Sequence, residues 1–348
     1  MTEQPPIQPT PVGALRFNVD TARLEYFNGS EYVNITIDSP ETNTGGTRGV
    51  TNGINENPQW QEHMDFFNIA TTGNGTDFGN LSADIFATGS TASSTRGVVF
   101  GGYGGSPHSA NSDEIQFVTI ASQGNATDFG NLLGQYYSNP GASSETRGLW
   151  MGGTTNATSV SGSQDVIQYV TIASTGDAVD FGDMIAAIST SATFNSQTRA
   201  IAAGGYETPV TSNRIQYITT STLGNSTDFG DLSTAAGFNN SMQGCNAVRA
   251  VMALGYIAPS NSSVNTVEYF QMATLGNSLD FGDVSTASEF LTAASSPTRC
   301  VWHINAGGGG DGDKMEYVEI MTTGNGIDFG DCTERQRTAG CSNGHGGL

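Results

Sequence analysis

Thr76-Asp77-Phe78-Gly79-Asn80 sets the frame for this chain, because Asp-Phe-Gly returns at Asp128, Asp180, Asp228, Asp280 and Asp328. The intervals are 51, 52, 48, 52 and 48 residues. Each copy is followed by Asn or Asp and preceded by a turn sequence such as Gly124-Asn125-Ala126-Thr127. Self-similarity at this period indicates a repeat architecture, a solenoid or a propeller.

Nine residues before the Gly of each turn, four positions align without gaps. They read Met64-Asp65-Phe66-Phe67, Ile115-Gln116-Phe117-Val118, Ile167-Gln168-Tyr169-Val170, Ile215-Gln216-Tyr217-Ile218, Val267-Glu268-Tyr269-Phe270 and Met315-Glu316-Tyr317-Val318. Aliphatic, acid or amide, aromatic, apolar suits a pleated strand with neighbours on both faces. Each unit opens with an arginine: Arg48, Arg96, Arg147, Arg199, Arg249 or Arg299. A short apolar run follows, ending in glycines such as Gly101-Gly102. Asp-Phe-Gly itself reads as a turn, and the roughly 19 residues after it have room for two more short strands. Four strands in about 50 residues match one propeller blade, so the expectation is an all-β, six-bladed β-propeller over 48–348. The tail, Gly340-Cys341-Ser342-Asn343, echoes the lead-in to the opening arginine and suits closure against the first unit.

Ahead of the repeats, residues 1–12 form an extended Pro-rich arm. Residues 13–38 read as a small β module with Asn28-Gly29-Ser30 as its hairpin turn, too small to be stable alone. Residues 39–47 are a linker by composition. The 348 residues carry a net charge of −21, and Lys314 is the sole lysine. Such a surface repels phosphate backbones, so no nucleic-acid partner is expected. No apolar run is long enough for a membrane span, and the N-terminus lacks a secretion-signal layout. The chain is therefore expected to be made in a cytoplasm.

Arg48, Arg96, Arg147, Arg199, Arg249 and Arg299 recur with Asp77, Asp128, Asp180, Asp228, Asp280 and Asp328. Six structural clasps are expected, either Arg–Asp pairs or arginine-to-carbonyl bonds. A ring of anion-binding arginines is the rival. Asp183, Asp231, Asp283 and Asp331 add acids near the turns, but each turn offers few of the six to eight oxygens calcium needs. Asp311-Gly312-Asp313 lacks the later Glu of a calcium loop. Cys245, Cys300, Cys332 and Cys341 form no Cys-x-x-Cys, and His63, His108, His303 and His345 are scattered. Neither phosphate-loop nor nucleophile-elbow patterns appear. The expectation is no metal, no cofactor and no catalytic residue. The loops 54–63, 103–114, 154–166, 206–214, 256–266 and 309–314 vary while their frames stay alike. Trp60, Tyr103, His108, Tyr206 and Tyr256 are the candidate binding residues there.

The Gly pair after a hydrophobic strand, with an aromatic downstream, resembles the kelch-type repeat, although the usual downstream Trp is missing. Runs like Gly-Asn-Ala-Thr-Asp-Phe-Gly and Thr-Arg-Gly-Val-Val-Phe-Gly-Gly resemble repeat proteins of marine bacteriophages, those of cyanobacteria in particular. Residues 13–38 look like β modules of phage fibres. The resemblance implies a non-enzymatic virion structural protein, a tail fibre or surface knob. Its propeller would bind a host-surface receptor or glycan, or neighbouring subunits. Residues 1–40 would anchor it to other virion proteins as a homo-oligomer in the particle. A capsid decoration protein, a carbohydrate-active propeller enzyme and an intracellular kelch-like scaffold are the alternatives.

Overall fold

The computed structural model describes residues 11–18, 23–34, 46–56, 59–104, 111–138, 141–155, 162–207, 209–237, 244–258, 260, 262–288, 290–305, 313–333 and 336–348. Arm residues 1–10, His108 and Asp311-Gly312 lie outside them. Among the described residues there is no α-helix. The chain divides into two compact units, 1–43 and 44–348.

In the first unit, Leu15–Asn18, Arg23–Phe27 and Tyr32–Asn34 form a three-stranded antiparallel sheet. Its hairpin turns on Asn28, whose Oδ1 accepts the N–H groups of Ser30 and Glu31, both at 2.9 Å. Alternation along the strands separates two faces. On one, Arg16 pairs with Glu25 at 2.7 Å and lies 3.6 Å over the Tyr32 ring. On the other, Leu15, Tyr26 and Val33 form one cross-strand row and are exposed together with Phe17.

The second unit holds six four-stranded antiparallel sheets, here I to VI. Sheet II runs Gly89–Ala92, Arg96–Phe100, Glu114–Thr119, Thr127–Asn131. Sheet III runs Gly141–Ser143, Arg147–Met151, Gln164–Thr171, Val179–Ile188. Sheet IV runs Ala192–Asn195, Arg199–Ala203, Arg214–Thr219, Thr227–Asp231. Sheet V runs Gly244–Cys245, Arg249–Ala253, Thr266–Gln271, Leu279–Asp283. Sheet VI runs Phe290–Ser295, Arg299–Asn305, Lys314–Glu319, Ile327–Asp331. Sheet I takes Arg48–Glu56, Gln59–Asn68 and Thr76–Asn80 from the start of the repeats, and its first strand, Gln336–Ser342, from the far end of the chain. Cys341 there stands opposite Val50.

Two expectations need correction. Asp-Phe-Gly is not a turn: it lies in the fourth strand, and the turn is the Gly-Asn before it. The stretch between one Asp-Phe-Gly and the next arginine does hold two short strands in two units, Ile85–Phe86 with Gly89–Ala92 and Ala236–Gly237 with Gly244–Cys245. They pair with the following sheet and its loop, not with the unit they end.

The strand placement explains the motif residue by residue. Every repeat Asp is exposed at the outer edge. Every Phe is buried and meets the aromatic of the third strand edge-on, as in Tyr169–Phe181 at 5.8 Å and Phe117–Phe129 at 5.9 Å. The Gly has positive φ, +143° at Gly79 and +154° at Gly230. A Cβ at Gly230 would stand 2.3 Å from the carbonyl oxygen of Gly276, in the turn of the next sheet. Only glycine leaves room for that turn.

The turn docks on the preceding sheet through its own backbone. Gly124 and Ala126 donate to Phe78 and Asn80, at 2.9 and 2.8 Å, and Asn125 Oδ1 accepts the Asn80 N–H at 3.1 Å. The same set repeats sheet by sheet, and the sixth junction returns to the first turn: Gly73 and Gly75 donate to Phe329 and Asp331, both at 2.8 Å, and Asn74 accepts from Asp331 at 3.2 Å. Each such bond contributes about 1 kcal/mol net.

The acid-or-amide position supplies a second relay. Gln116 accepts the Ser82 N–H at 2.7 Å, Gln168 that of Leu133 at 2.8 Å, and Gln216 that of Ile185 at 2.9 Å. Glu268 takes Ser233, Glu316 takes Ser285, and Asp65 takes Thr333. A third relay joins the first strands. Ser143 donates to the Ala92 carbonyl, Thr193 to Gly141, Cys245 to Asn195, Ser295 to Cys245, Ser342 to Ser295, and Ser90 to Gly340. Between the sheets lies the core, with Trp150, Phe194, Phe270 and Trp302 among its largest buried side chains.

Candidate functional site

Antiparallel pairing puts the arginines and the Gly-Asn turns at one end of the sheets, the turn end. The variable loops and the links to the next sheet lie at the other, the loop end.

At the turn end each arginine lies over the aromatic ring of its own sheet, from 4.3 Å (Arg249 over Tyr269) to 4.8 Å (Arg147 over Tyr169). Its Nη1 then reaches a carbonyl of the next sheet. Arg96 donates to Ile172 at 3.0 Å, Arg147 to Thr220 at 2.8 Å, Arg249 to Ile320 at 3.2 Å. Arg48 donates to Ile120 and Ala121, Arg199 to Met272 and Ala273, and Arg299 returns to Ala70 at 2.9 Å. The clasps are arginine-to-carbonyl bonds. Among the described residues no ion pair joins a repeat Arg to Asp77, Asp128, Asp180, Asp228, Asp280 or Asp328; the arginine carboxylate partner there is Glu319, 2.7 Å from Arg299. The reason is strand order: Asp-Phe-Gly lies in the fourth strand, two strands from the arginine.

Residues 343–348 lie against the ends of the first strands. His345 Nε2 donates to the Ala92 carbonyl at 2.8 Å, with Ser143 Oγ at 3.2 Å. Its Nδ1 accepts from Asn195 Nδ2 at 2.6 Å and from the Gly347 N–H at 3.1 Å. Those partners fit a neutral imidazole, and burial pulls its pKa down to about 4. One side chain thus ties sheets II, III and IV. Gly346 and Gly347 leave room for this packing: a Cβ at Gly346 would sit 2.4 Å from the Asn195 carbonyl oxygen, and one at Gly347 2.2 Å from that of Ser143.

The loop end carries short pairings between four of the links and the loop of the following sheet. Phe86 pairs with Tyr103, Tyr137 with Thr154, Ser189 with Tyr206, and Gly237 with Tyr256. Three of the five candidate residues therefore hold one repeated place. All three tyrosines are half-buried. Tyr103 and Tyr137 rings stand 6.0 Å apart, and burial, then Tyr103, raises the Tyr137 pKa. Tyr206 Oη donates to the Pro209 carbonyl at 3.1 Å, within a hairpin that Arg214 and Glu207 clasp as an ion pair. Tyr256 lies on Gly237, where a Cβ would meet its ring. Trp60 stands opposite Asn55 in the second-to-third strand hairpin of sheet I, and its side chain, like His108, is outside the described residues.

The links also hold three non-glycine residues in the left-handed region, Ala87 (φ 56°), Ser138 (φ 71°) and Thr190 (φ 56°). Each follows its repeat Asp by ten positions. Ser138 N–H donates to Ala87 O at 3.0 Å and Thr190 N–H to Ser138 O at 2.8 Å. Conformations of this kind cost about 1 kcal/mol or more each and persist where surroundings enforce them. Nothing in the residue types announces them.

One buried polar cluster breaks the repeat. Cys332 Sγ stands 2.9 Å from His303 Nδ1, and His63 and Thr333 bond Asp65 at 3.0 and 2.6 Å. Burial lowers the His303 pKa to about 4 and pushes the Cys332 thiol up, with Asp65 adding to the rise. A protonated thiol beside a neutral imidazole is a core hydrogen bond, not an activated nucleophile. Among the described residues no three His, Cys, Asp or Glu side chains are arranged to hold a metal ion.

No family model and no curated protein matches this chain.

Proposed function

We propose that residues 48–348 form a six-bladed β-propeller whose loop end binds a partner without chemistry, in a phage virion structural protein. The observation that carries this reading is the return of every inter-sheet relay from sheet VI to sheet I. With it goes the completion of sheet I by Gln336–Ser342. An open stack leaves its last turn acceptors unpaired, whereas here Phe329 and Asp331 are satisfied by Gly73 and Gly75. The half-buried tyrosines on a rigid frame suit stacking against a sugar or packing against a protein. The neutral Cys332–His303 pair and the engaged arginines supply no reactive group. The virion assignment rests on the resemblance of the repeats to marine phage proteins. The exposed apolar face of the small sheet supports its use as an anchor to other virion proteins.

Electron microscopy of the purified full chain tests the propeller: a disc with six equivalent sectors is expected, and an elongated stack ends the reading. For the binding end, glycan-array binding by the full chain is expected to disappear in Tyr103→Ser/Tyr206→Ser/Tyr256→Ser with the melting temperature kept. Deleting residues 1–43 is expected to leave a folded protein that no longer joins particles. Normal incorporation of that deletion would remove the anchor.

A further inference from the structure

The six sheets share one set of inter-sheet bonds, yet their outer surface at the turn end is not six-fold alike. The residue before each repeat Asp is Thr76 in sheet I and Thr127 in sheet II, then Val179, Thr227, Leu279 and Ile327 in III to VI. The residue before each turn Gly is Thr72 and Gln123, then Thr175, Leu223, Leu275 and Thr323. Val179, Leu223, Leu275, Leu279, Met321 and Ile327 are each at least half exposed. Val248, in the turn ahead of Arg249, adds a seventh at the same end. They follow one another around sheets III to VI, because each turn docks on the preceding sheet's fourth strand, as Gly224 does on Phe181 and Gly324 on Phe281. Among the described residues, sheets I and II contribute no exposed large apolar residue at this end; Leu133, Ile185 and Val210 belong to the loop end.

Charge divides along the same line. The residue after Asp-Phe-Gly is Asn80 and Asn131 in sheets I and II, and Asp183, Asp231, Asp283 and Asp331 in III to VI. Each of those four sheets thus shows two exposed carboxylates on its outer strand, where the first two show one. The second acid stands toward the loop end of its strand, Asp231 opposite Arg214 and Asp331 opposite Lys314. Those two cations are already paired with Glu207 and Glu316, and Asp183 and Asp283 face Val166 and Thr266. A frame kept alike by its backbone bonds has no packing reason to change apolar and acidic surface positions together on the same four sheets.

We propose that the turn end and outer wall of sheets III to VI form a docking surface for a protein partner that is apolar at its centre and basic at its rim. Exposed apolar surface of this extent marks interaction sites, and the acids select the sign of the partner. A second copy meeting the same surface would bring like charges together at the rim. The inference rests on neither the viral reading nor the loop end.

Selection of a random 12-residue peptide library on the full chain tests it. Enriched peptides are expected to combine apolar residues with Lys or Arg. Their affinity is expected to fall about tenfold in Leu275→Ser/Leu279→Ser/Met321→Ser, and by a similar factor in Asp280→Asn/Asp283→Asn/Asp328→Asn. Raising the salt should weaken them too. Tyr206→Ser, at the other end, should leave them bound. No enrichment, peptides without basic residues, or binding unchanged in both triple variants overturns the proposal. So does sedimentation showing a self-associated chain that the leucine variant separates, which would make a second copy the occupant.

Discussion

The two ends of the sheets obey different rules. At the turn end the chain repeats the same bonds six times: a glycine N–H to the Phe carbonyl, an arginine Nη1 to a backbone carbonyl, an arginine over an aromatic ring. At the loop end only a short ladder recurs, and what hangs from it differs between sheets: two isolated bridges at Thr154, a clasped hairpin at Tyr206–Glu207, a three-stranded ladder through Tyr256–Ile257. The turn end joins neighbours through backbone atoms, so any change there is felt by two sheets. A loop joined by a bridge or two can change without disturbing the frame, which is why the sequence varies most at the loop end.

Breaking the closure should show this most severely. Removing residues 336–348 takes the first strand from sheet I and His345 from the strand ends, and cooperative unfolding by circular dichroism is expected to be lost or shifted far down. Next comes Gly230→Val. Its β-carbon would sit against the Gly276 backbone at positive φ, and urea unfolding should show a loss of about 3 kcal/mol or more.

Acid should act through buried groups at both ends, His345 at the turn end and His303 and Glu316 toward the loop end. The folded pKa of His345 and His303 is about 4, below the usual 6.5, so the unfolded chain binds protons first. Their contribution is complete above about pH 6.5 and is lost between there and about pH 4, roughly 3 kcal/mol each. Glu316 titrates the other way round in charge but with the same sign in stability. Despite the opposing effect of its burial, hydrogen bonds from Lys314 and Ser285 hold its pKa low. Its share is present above the ordinary carboxylate pKa and vanishes as pH falls through the lowered one. Stability measured from pH 7 to 4 should therefore drop, and His345→Gln should flatten part of that slope while lowering the pH 7 value.

A single arginine sharpens the contrast on a smaller scale. Arg147→Ala removes one clasp and one ring contact and should cost about 1–3 kcal/mol in urea unfolding; Arg147→Lys should recover part of it. The smallest effect belongs to the loop end: exchanging the loop tip at Ser260 for Gly should move stability by no more than about 0.5 kcal/mol.

Much of the frame could be read from residue types. The aromatic strand, the opening arginine and the Gly-Asn turn all announce themselves, since each needs a particular side chain at a particular place. Asp-Phe-Gly misled because Asp and Gly are turn formers by local chemistry, and here that preference is overruled. Gly79 and its counterparts are glycines because the neighbouring sheet's turn presses on them, a contact about 45 residues away along the chain. The arginine-to-carbonyl clasp was open between two forms until the strand order put the repeat acids out of reach. Tyr103, Tyr206 and Tyr256 stood out as aromatics in variable loops, but their shared place on a ladder with the preceding link left no mark in the sequence.

By itself the sequence determined that one small unit recurs six times, that it is built of strands, and that an arginine and an Asp-Phe-Gly belong to each copy. Side-chain type and spacing are local properties, and they survive being read along a line. Which strands share a sheet, that the stretch before each arginine belongs to the next unit, that 336–342 completes the beginning, and that His345 ties three sheets were decided only in three dimensions. Those are backbone hydrogen bonds between distant segments, and every residue's N–H and C=O look the same in sequence.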